Sequence, residues 1–448
     1  MTDQLSPPPT PSRPASPFDA PPRPGTDAES RRGARMKSEL MAGGSVVERG
    51  DDELAGGWKG ALSMAAIAAL FVVLATINIW WFVFVFGVVI SIFLHELGHF
   101  ATAKWTGMKA TQFFLFFGPR LWSFRRGETE YGVRAIPAGA FVRIVGMNRM
   151  DDVEPEDEER TYRSKSFPRR LLVISAGSIM HMIIAVVLLF TVYIGQGERT
   201  DTFAPGVEIA ALSLNGPAQE AGLLPGDEFV SIDGQPIVET LDVRDAVVSK
   251  APGDFVEVVV LRDGSEQSFD VGLGAFPDGS GRALLGVTSG QERLYEQHGI
   301  VGSAVNAVTD VVPASWDSVK GVVKALNPVN IVTHLAGDND DLSTRPTSVV
   351  GVTGVADDIG DAEGIFGVLW LLAVLNVFVG VFNMFPLLPL DGGHAAVAAY
   401  ERVREAMRGG KERYYADVER LMPLAMGVMV LLLTLFTAAL YMDITDPL

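Results

Sequence analysis

The chain has 448 residues, a formal net charge of −18 and a mean hydropathy of +0.25. Positive hydropathy at this length excludes an ordinary soluble enzyme. The absence of cysteine excludes disulfides, zinc–thiolate sites and a cysteine nucleophile, leaving any metal to histidine, carboxylate and water.

Residues 1–55 are rich in Pro, Ser, Arg, Asp and Gly, with nine prolines in the first 24 positions, and are expected to be a disordered tail. An apolar run over 58–79 reads as one transmembrane helix. A second, over 80–104, is separated from it at Asn78 and opens on Trp80 and Trp81, residues suited to a membrane interface. The stretch 105–169 mixes aromatic, β-branched and polar residues, with turn signals at Gly118-Pro119 and Arg126-Gly127; it reads as a membrane-associated β-hairpin region followed by an acidic loop. A third helix is expected over 170–195. A large polar region follows, whose last part, 289–364, reads as amphipathic and is expected on the outer membrane surface. A fourth run, 365–393, ends in Asp391-Gly392-Gly393. After a basic segment, 394–420, a fifth helix is expected over 421–442.

Charge gives these crossings a direction. Residues 104–170 carry 13 Lys and Arg, 391–420 carry six and the first 59 carry eight, whereas 196–364 carry nine in 169 positions. Positive charge favours the cytoplasmic side, so the N-terminus and both basic loops are placed inside and the large region outside.

His95-Glu96-Leu97-Gly98-His99 lies near the end of the second run. On a helix, positions i and i+4 share a face, so both imidazoles can reach one metal, and the intervening glutamate can take a proton from water. His95 is fifteen residues in from Trp80, roughly 22 Å along a helix in an apolar core of about 30 Å. Ionisable groups at that depth are costly and point to function. Two histidines leave room for a third protein ligand. Asp391 arrives on an inward-running helix broken by Pro386 and Pro389, with Gly392 and Gly393 freeing the backbone after it. Glu128, Glu130 and His394 compete for that role.

The HExxH segment, joined to Asn383-Met-Phe-Pro386-Leu-Leu-Pro389-Leu-Asp391-Gly392-Gly393, resembles the site-2 protease family of intramembrane zinc metalloproteases. Gly127-Glu-Thr-Glu-Tyr-Gly132 and Ala135-Ile-Pro-Ala-Gly-Ala-Phe-Val142 are similar to its bacterial, regulated-proteolysis branch. The resemblance implies one Zn2+ held by His95, His99 and Asp391, Glu96 as the catalytic glutamate, and Asn383 near the substrate backbone. The chain departs from the family at Ala176-Gly177-Ser178-Ile179-Met180-His181, where Gly-Pro-x-x-Asn is usual. His181 therefore reads either as a substrate-positioning group or as a packing histidine. The helix at 58–79 is a second departure.

Residues 217–234, Pro-Ala-Gln-Glu-Ala-Gly-Leu-Leu-Pro-Gly-Asp-Glu-Phe-Val-Ser-Ile-Asp-Gly, followed by strands near 255–262 and 268–271, resemble a PDZ domain, placed at 205–288. It would bind a peptide end or act as a size filter. The expected fold class is thus a polytopic α-helical membrane protein of about five transmembrane helices, with a membrane-associated β-hairpin region and an inserted extracytoplasmic α+β, β-rich PDZ domain. By resemblance it sits in a bacterial inner or plasma membrane, and its partners are the lipid bilayer and pre-trimmed single-pass proteins such as anti-sigma factors or signal-peptide remnants. No nucleic-acid partner is expected. The competing readings are a catalytically silent PDZ-bearing adaptor, against which the intact HExxH argues, and a metal or ion transporter, which would predict paired broken helices in internal repeats.

Overall fold

The computed structural model describes residues 58–147, 153–276, 281–335, 345–409, 414–416 and 421–445. The N-terminal tail lies outside these residues. The chain divides into two compact units, one of residues 1–189 with 308–448 and one of residues 190–307.

Among the described residues, five helices of the first unit are long and apolar enough to cross a membrane. The first two, α1 (Trp58–Ile77) and α2 (Ile79–Trp105), are separated by Asn78. Its backbone is extended and its side-chain oxygen accepts from the N–H groups of Trp80 and Trp81, at 2.8 and 3.1 Å. An N-cap in mid-run ends one helix and starts the next. Large apolar side chains of α1, such as Leu62, Leu70 and Val72, stay exposed. An exposed, wholly apolar helix is stable where lipid covers it.

Between α2 and α3 (Phe167–Gly195) lie two long antiparallel strands, β1 (Ala110–Arg126) and β2 (Thr129–Ile144). Each is interrupted, so the pairing is that of four segments. Residues 110–117 pair on one side with 136–144 and on the other with 129–133, and the latter pairs in turn with 120–126. The sequence suggested simple hairpins. The structure adds a central segment and leaves 136–144 at an edge of this sheet. Phe113, Phe114, Phe116 and Phe141 are buried, Phe114 and Phe141 stacked at 5.6 Å. Trp122, Phe124 and Ile136 are exposed.

The second unit is a sheet in the order β11 (Val287–Gly290), β4 (Val207–Leu212), β5 (Glu228–Ile232), β7 (Phe255–Arg262), β8 (Ser265–Gly272), with the short β6 (Gln235–Pro236) beside β5. Val207, Ile209, Phe229, Ile232, Val256, Val258 and Val260 alternate into its core with Leu223, before β5, and Val243 and Val247 of α5 (Thr240–Val248). α4 (Pro217–Glu220) is a single turn. A two-residue pair, β9 (Gly274–Ala275) with β10 (Ala283–Leu284), and a ribbon of β3 (Glu198–Phe203) with β12 (Arg293–Glu296) complete this unit. Asp227 is buried and bonded by both its oxygens to Arg262 at 2.6 Å. The guanidinium holds its carboxyl below the usual range.

The chain continues with α6 (Ile300–Ala325), α7 (Pro328–Leu335), α8 (Val349–Asn383), α9 (Asp391–Met407) and α10 (Met422–Thr445). Two of these add to the sequence expectation. The latter part of α6 lies against α3, Ser315 Oγ being 4.0 Å from Met182 Sδ. α8 is broken at Gly364 (φ 65°, ψ −152°), so its apolar half starts at 365, where the sequence placed the fourth helix, and a separate helical segment, 349–363, precedes it. The segment 349–363 is tied down by polar bonds: Asn78 Nδ2 donates to Asp357 at 2.5 Å and Trp80 Nε1 to Asp361 at 2.8 Å. Asp443 of α10 accepts from the Ser348 and Gly351 N–H groups that open the helix.

Candidate active site

α2, α3 and α8 cross closely because small residues let them. A Cβ on Gly98 would lie 2.8 Å from the carbonyl oxygen of Ala176, and one on Gly177 would lie 2.5 Å from His99 Nε2 and 2.6 Å from His95 Nδ1. The backbone of α3 therefore rests directly on the two imidazoles. Phe84 of α2 and Val368 and Leu372 of α8 form a buried cluster one helical layer away.

His95 and His99 project from one face of α2 with their Nε2 atoms 3.2 Å apart. Asp391 Oδ2 lies 3.6 Å from His95 Nε2 and 3.2 Å from His99 Nε2. The three are the group of His, Asp and Glu side chains, among the described residues, whose ligand atoms converge. His99 Nδ1 is 2.7 Å from the carbonyl oxygen of Val173. Donating its proton there leaves Nε2 with a free lone pair. Asp391 Oδ2 is buried, with the two imidazole nitrogens as its near polar neighbours. Two imidazoles and a carboxylate converging in this way are a donor set that suits a shared cation. Tetrahedral zinc with ligands at about 2.0–2.1 Å separates those ligands by about 3.3 Å, and the observed 3.2–3.6 Å fits that spacing.

Asp391 arrives differently from its sequence reading. α8 ends at Asn383, a turn occupies 384–390, and Asp391 is the first residue of α9 rather than the end of the fourth helix. Gly392 and Gly393 are helical and do not loosen the chain. Side chains there would strike the Met384 carbonyl group and, at 2.6 Å, the Leu388 nitrogen. The glycine pair lets the turn fold back onto the start of α9 and so fixes the carboxylate.

Glu96 follows His95 on α2, half-buried, with its carboxylate on the backbone N–H of Val142 in the 136–144 segment. His181 is buried, its ring centroid 5.0 Å from that of His95. Its Nδ1 is 2.8 Å from Asn376 Oδ1. Asn376 donates to the Leu372 carbonyl at 2.8 Å and to Ser91 Oγ at 3.1 Å, and Ser91 donates on to Gly87. With both amide protons of Asn376 committed, its oxygen accepts from His181 Nδ1, which leaves His181 Nε2 as an acceptor. Asn383 is half-buried at the last residue of α8.

The rival ligands are occupied or apart. Glu128 bonds Arg160 and Lys104, and these cations push its carboxyl down to about 2. Glu130 bonds Arg120 and Ser123. His394 lies on α9 and is outside the converging set. Sequence reasoning missed Asn376 and Gly177. A lone amide inside the apolar run of α8 was the available signal for the first; the second stands in the 176–181 stretch compared with Gly-Pro-x-x-Asn, which did not disclose its contact with the imidazoles.

The peptidase family M50 model matches residues 83–426. Zinc metalloprotease Rip1 of Mycobacterium tuberculosis is 33% identical over 396 residues, which cover 81% of this chain and 96% of that protein. Zinc metalloprotease Rip1 of Mycolicibacterium smegmatis is 31% identical, over 82% of this chain and 97% of the relative. The PDZ domain of the SdrC-like protein from Listeria monocytogenes is 26% identical over 20% of this chain and 93% of that one, with a TM-score of 0.18. With this coverage the fold and site define a zinc metalloendopeptidase of the site-2 protease type. The chain belongs to peptidase family M50.

Proposed function

We propose that this protein hydrolyses peptide bonds within or beside transmembrane segments of single-pass proteins, using one zinc ion held by His95, His99 and Asp391. The observation that carries the reading is the convergence of those three ligand atoms beside Glu96, on helices apolar enough to span a bilayer. Zinc, when bound, supplies Lewis-acid polarisation of the scissile carbonyl and of the attacking water.

The chain's own groups do the rest. Glu96 takes the proton as the new C–O bond forms, then delivers it to the amide nitrogen as the C–N bond breaks. His99 is held in one tautomer by Val173, and Gly177 sets how far the imidazoles can rotate. A transmembrane substrate is helical and must unwind before its carbonyl is reachable. The unpaired edge of 136–144 is suited to take the unwound segment as an added strand, since main-chain bonds replace those lost from the helix. Asn383 and His181 Nε2 are assigned to the freed substrate backbone, His181 in its acceptor form because Asn376 fixes its other nitrogen.

Distribution of Lys and Arg supports a cytoplasmic N-terminus, a cytoplasmic β1–β2 region and a PDZ-like unit outside. On that orientation the outer unit meets ends left by earlier cleavage and excludes bulky ectodomains. By family resemblance the substrates are anti-sigma factors or signal-peptide remnants. The test is purified protein in detergent with a membrane-anchored reporter, the cut bond mapped by mass spectrometry. Cleavage inside the apolar segment, stopped by chelator and restored by zinc, is expected. A chelator-insensitive cut, or one confined to exposed loops, would reject the reading.

A further inference from the structure

An open apolar groove of about 440 Å³ lies between Ser175, Ser178, Ile179 and Met182 of α3, Val319 of α6, Gly380 and Val381 of α8, and the turn 384–386; its lining residues are chain neighbours of the candidate site rather than members of it. Its walls join the site from two sides. Ser178 follows Gly177, the residue pressed on His95 and His99, while the Met384 backbone packs on Gly392, next to Asp391. Gly380 forms its floor: a Cβ there would lie 2.7 Å from Met182 Cε and 3.1 Å from His181 Cβ. The size suits an apolar ligand or more than one large side chain. The lining is apolar in character: its two serines keep their hydroxyls out of reach, Ser178 being 5% exposed.

We propose that this groove is the specificity subsite of the protease: it takes the large apolar side chain beside the scissile bond. This rests on the intramembrane protease reading above. The chemistry selects residues of transmembrane segments, because burial of Leu or Phe against an apolar lining is favourable. Gly380 and Val381 of α8 and Val319 of α6 line the groove from two different helices.

The test uses the full-length protein and a set of membrane-anchored reporters in which each residue flanking the mapped cut is Ala or Phe. Wild type is expected to cut Phe over Ala at one position by about tenfold or more, the range for added apolar bulk in a matching pocket. Val319→Trp and Val381→Phe should each compress that ratio toward one, with the Ala reporter still cut. Zinc content measured on each variant separates a filled pocket from a damaged site, and two variants on separate helices guard against one misfolding. If wild type cuts the reporters but no position prefers Phe, or if both filling variants keep the wild-type ratio, the subsite assignment is overturned. If wild type cuts no reporter, the protease reading fails, and the subsite with it.

Discussion

Replacing Gly177 by alanine tests how the helices hold the site. The added methyl would sit 2.5 Å from His99 Nε2 and 2.6 Å from His95 Nδ1. Non-bonded atoms rest at about 3.5–4.0 Å, so α3 must retreat or the imidazoles rotate by about 1 Å. Neither is free: His99 is bonded to Val173 of α3, so a retreat of that helix pulls the ring with it. Misplacement of about 1 Å in a catalytic constellation costs on the order of 10²-fold in rate. An opposing effect exists, because alanine is about 1 kcal/mol better than glycine inside a helix, but it strengthens α3 without relieving the contact. The expected result is a variant of wild-type helicity with reduced zinc and cleavage lowered about 100-fold. Circular dichroism, metal analysis and reporter cleavage read the three quantities. Full zinc content with cleavage within about threefold of wild type would refute the packing argument, since a 1 Å shift is expected to cost far more.

Asp391→Ala should lower bound zinc in the purified protein, and an unchanged metal content would force a different third ligand. Ala140→Pro should lower cleavage about tenfold or more while sparing zinc, because it removes an N–H on the free edge two residues before Val142 and leaves the ladder to 110–117 intact; undiminished cleavage would dismiss strand addition. Asp227→Asn should destabilise the 205–290 region by about 2–3 kcal/mol, since it unbalances a buried charge pair, and hydrogen exchange over that region reads it. The pH dependence has a definite sign. The folded Asp227 carboxyl lies below its unfolded value, so its contribution is complete above the unfolded pKa of about 3.9 and fades as pH falls below it. The Asn variant should lose that acid sensitivity, and equal acid slopes in the two proteins would contradict the assignment.

The chemistry was legible in the sequence because it is local. His95 and His99 are offered by a spacing of four, whereas Asp391 stood among Glu128, Glu130 and His394 until the family resemblance singled it out. The five apolar helices were legible because a bilayer requires about twenty apolar residues in a row. What escaped detection depends on contacts between distant segments. Gly177 is one small residue among many until α3 is laid on α2. Asn376 acquires meaning from His181, which is 195 positions away. Gly392 and Gly393 suggested a loosened backbone, whereas the fold uses them for close approach. The segment 349–363 falls in the stretch read as amphipathic, and its anchoring shows only in the fold, where Asp357 and Asp361 bond Asn78 and Trp80. A strand pattern likewise cannot disclose that 110–117 has neighbours on both sides.

The central claim is that Glu96 moves the proton beside a metal held by other residues. Its most direct test is a single comparison of wild type with Glu96→Gln, scoring zinc content and cleavage of a membrane-anchored reporter on the same preparations. The account predicts wild-type zinc and no detectable cleavage in the variant. Cleavage persisting in Glu96→Gln with zinc bound would contradict it.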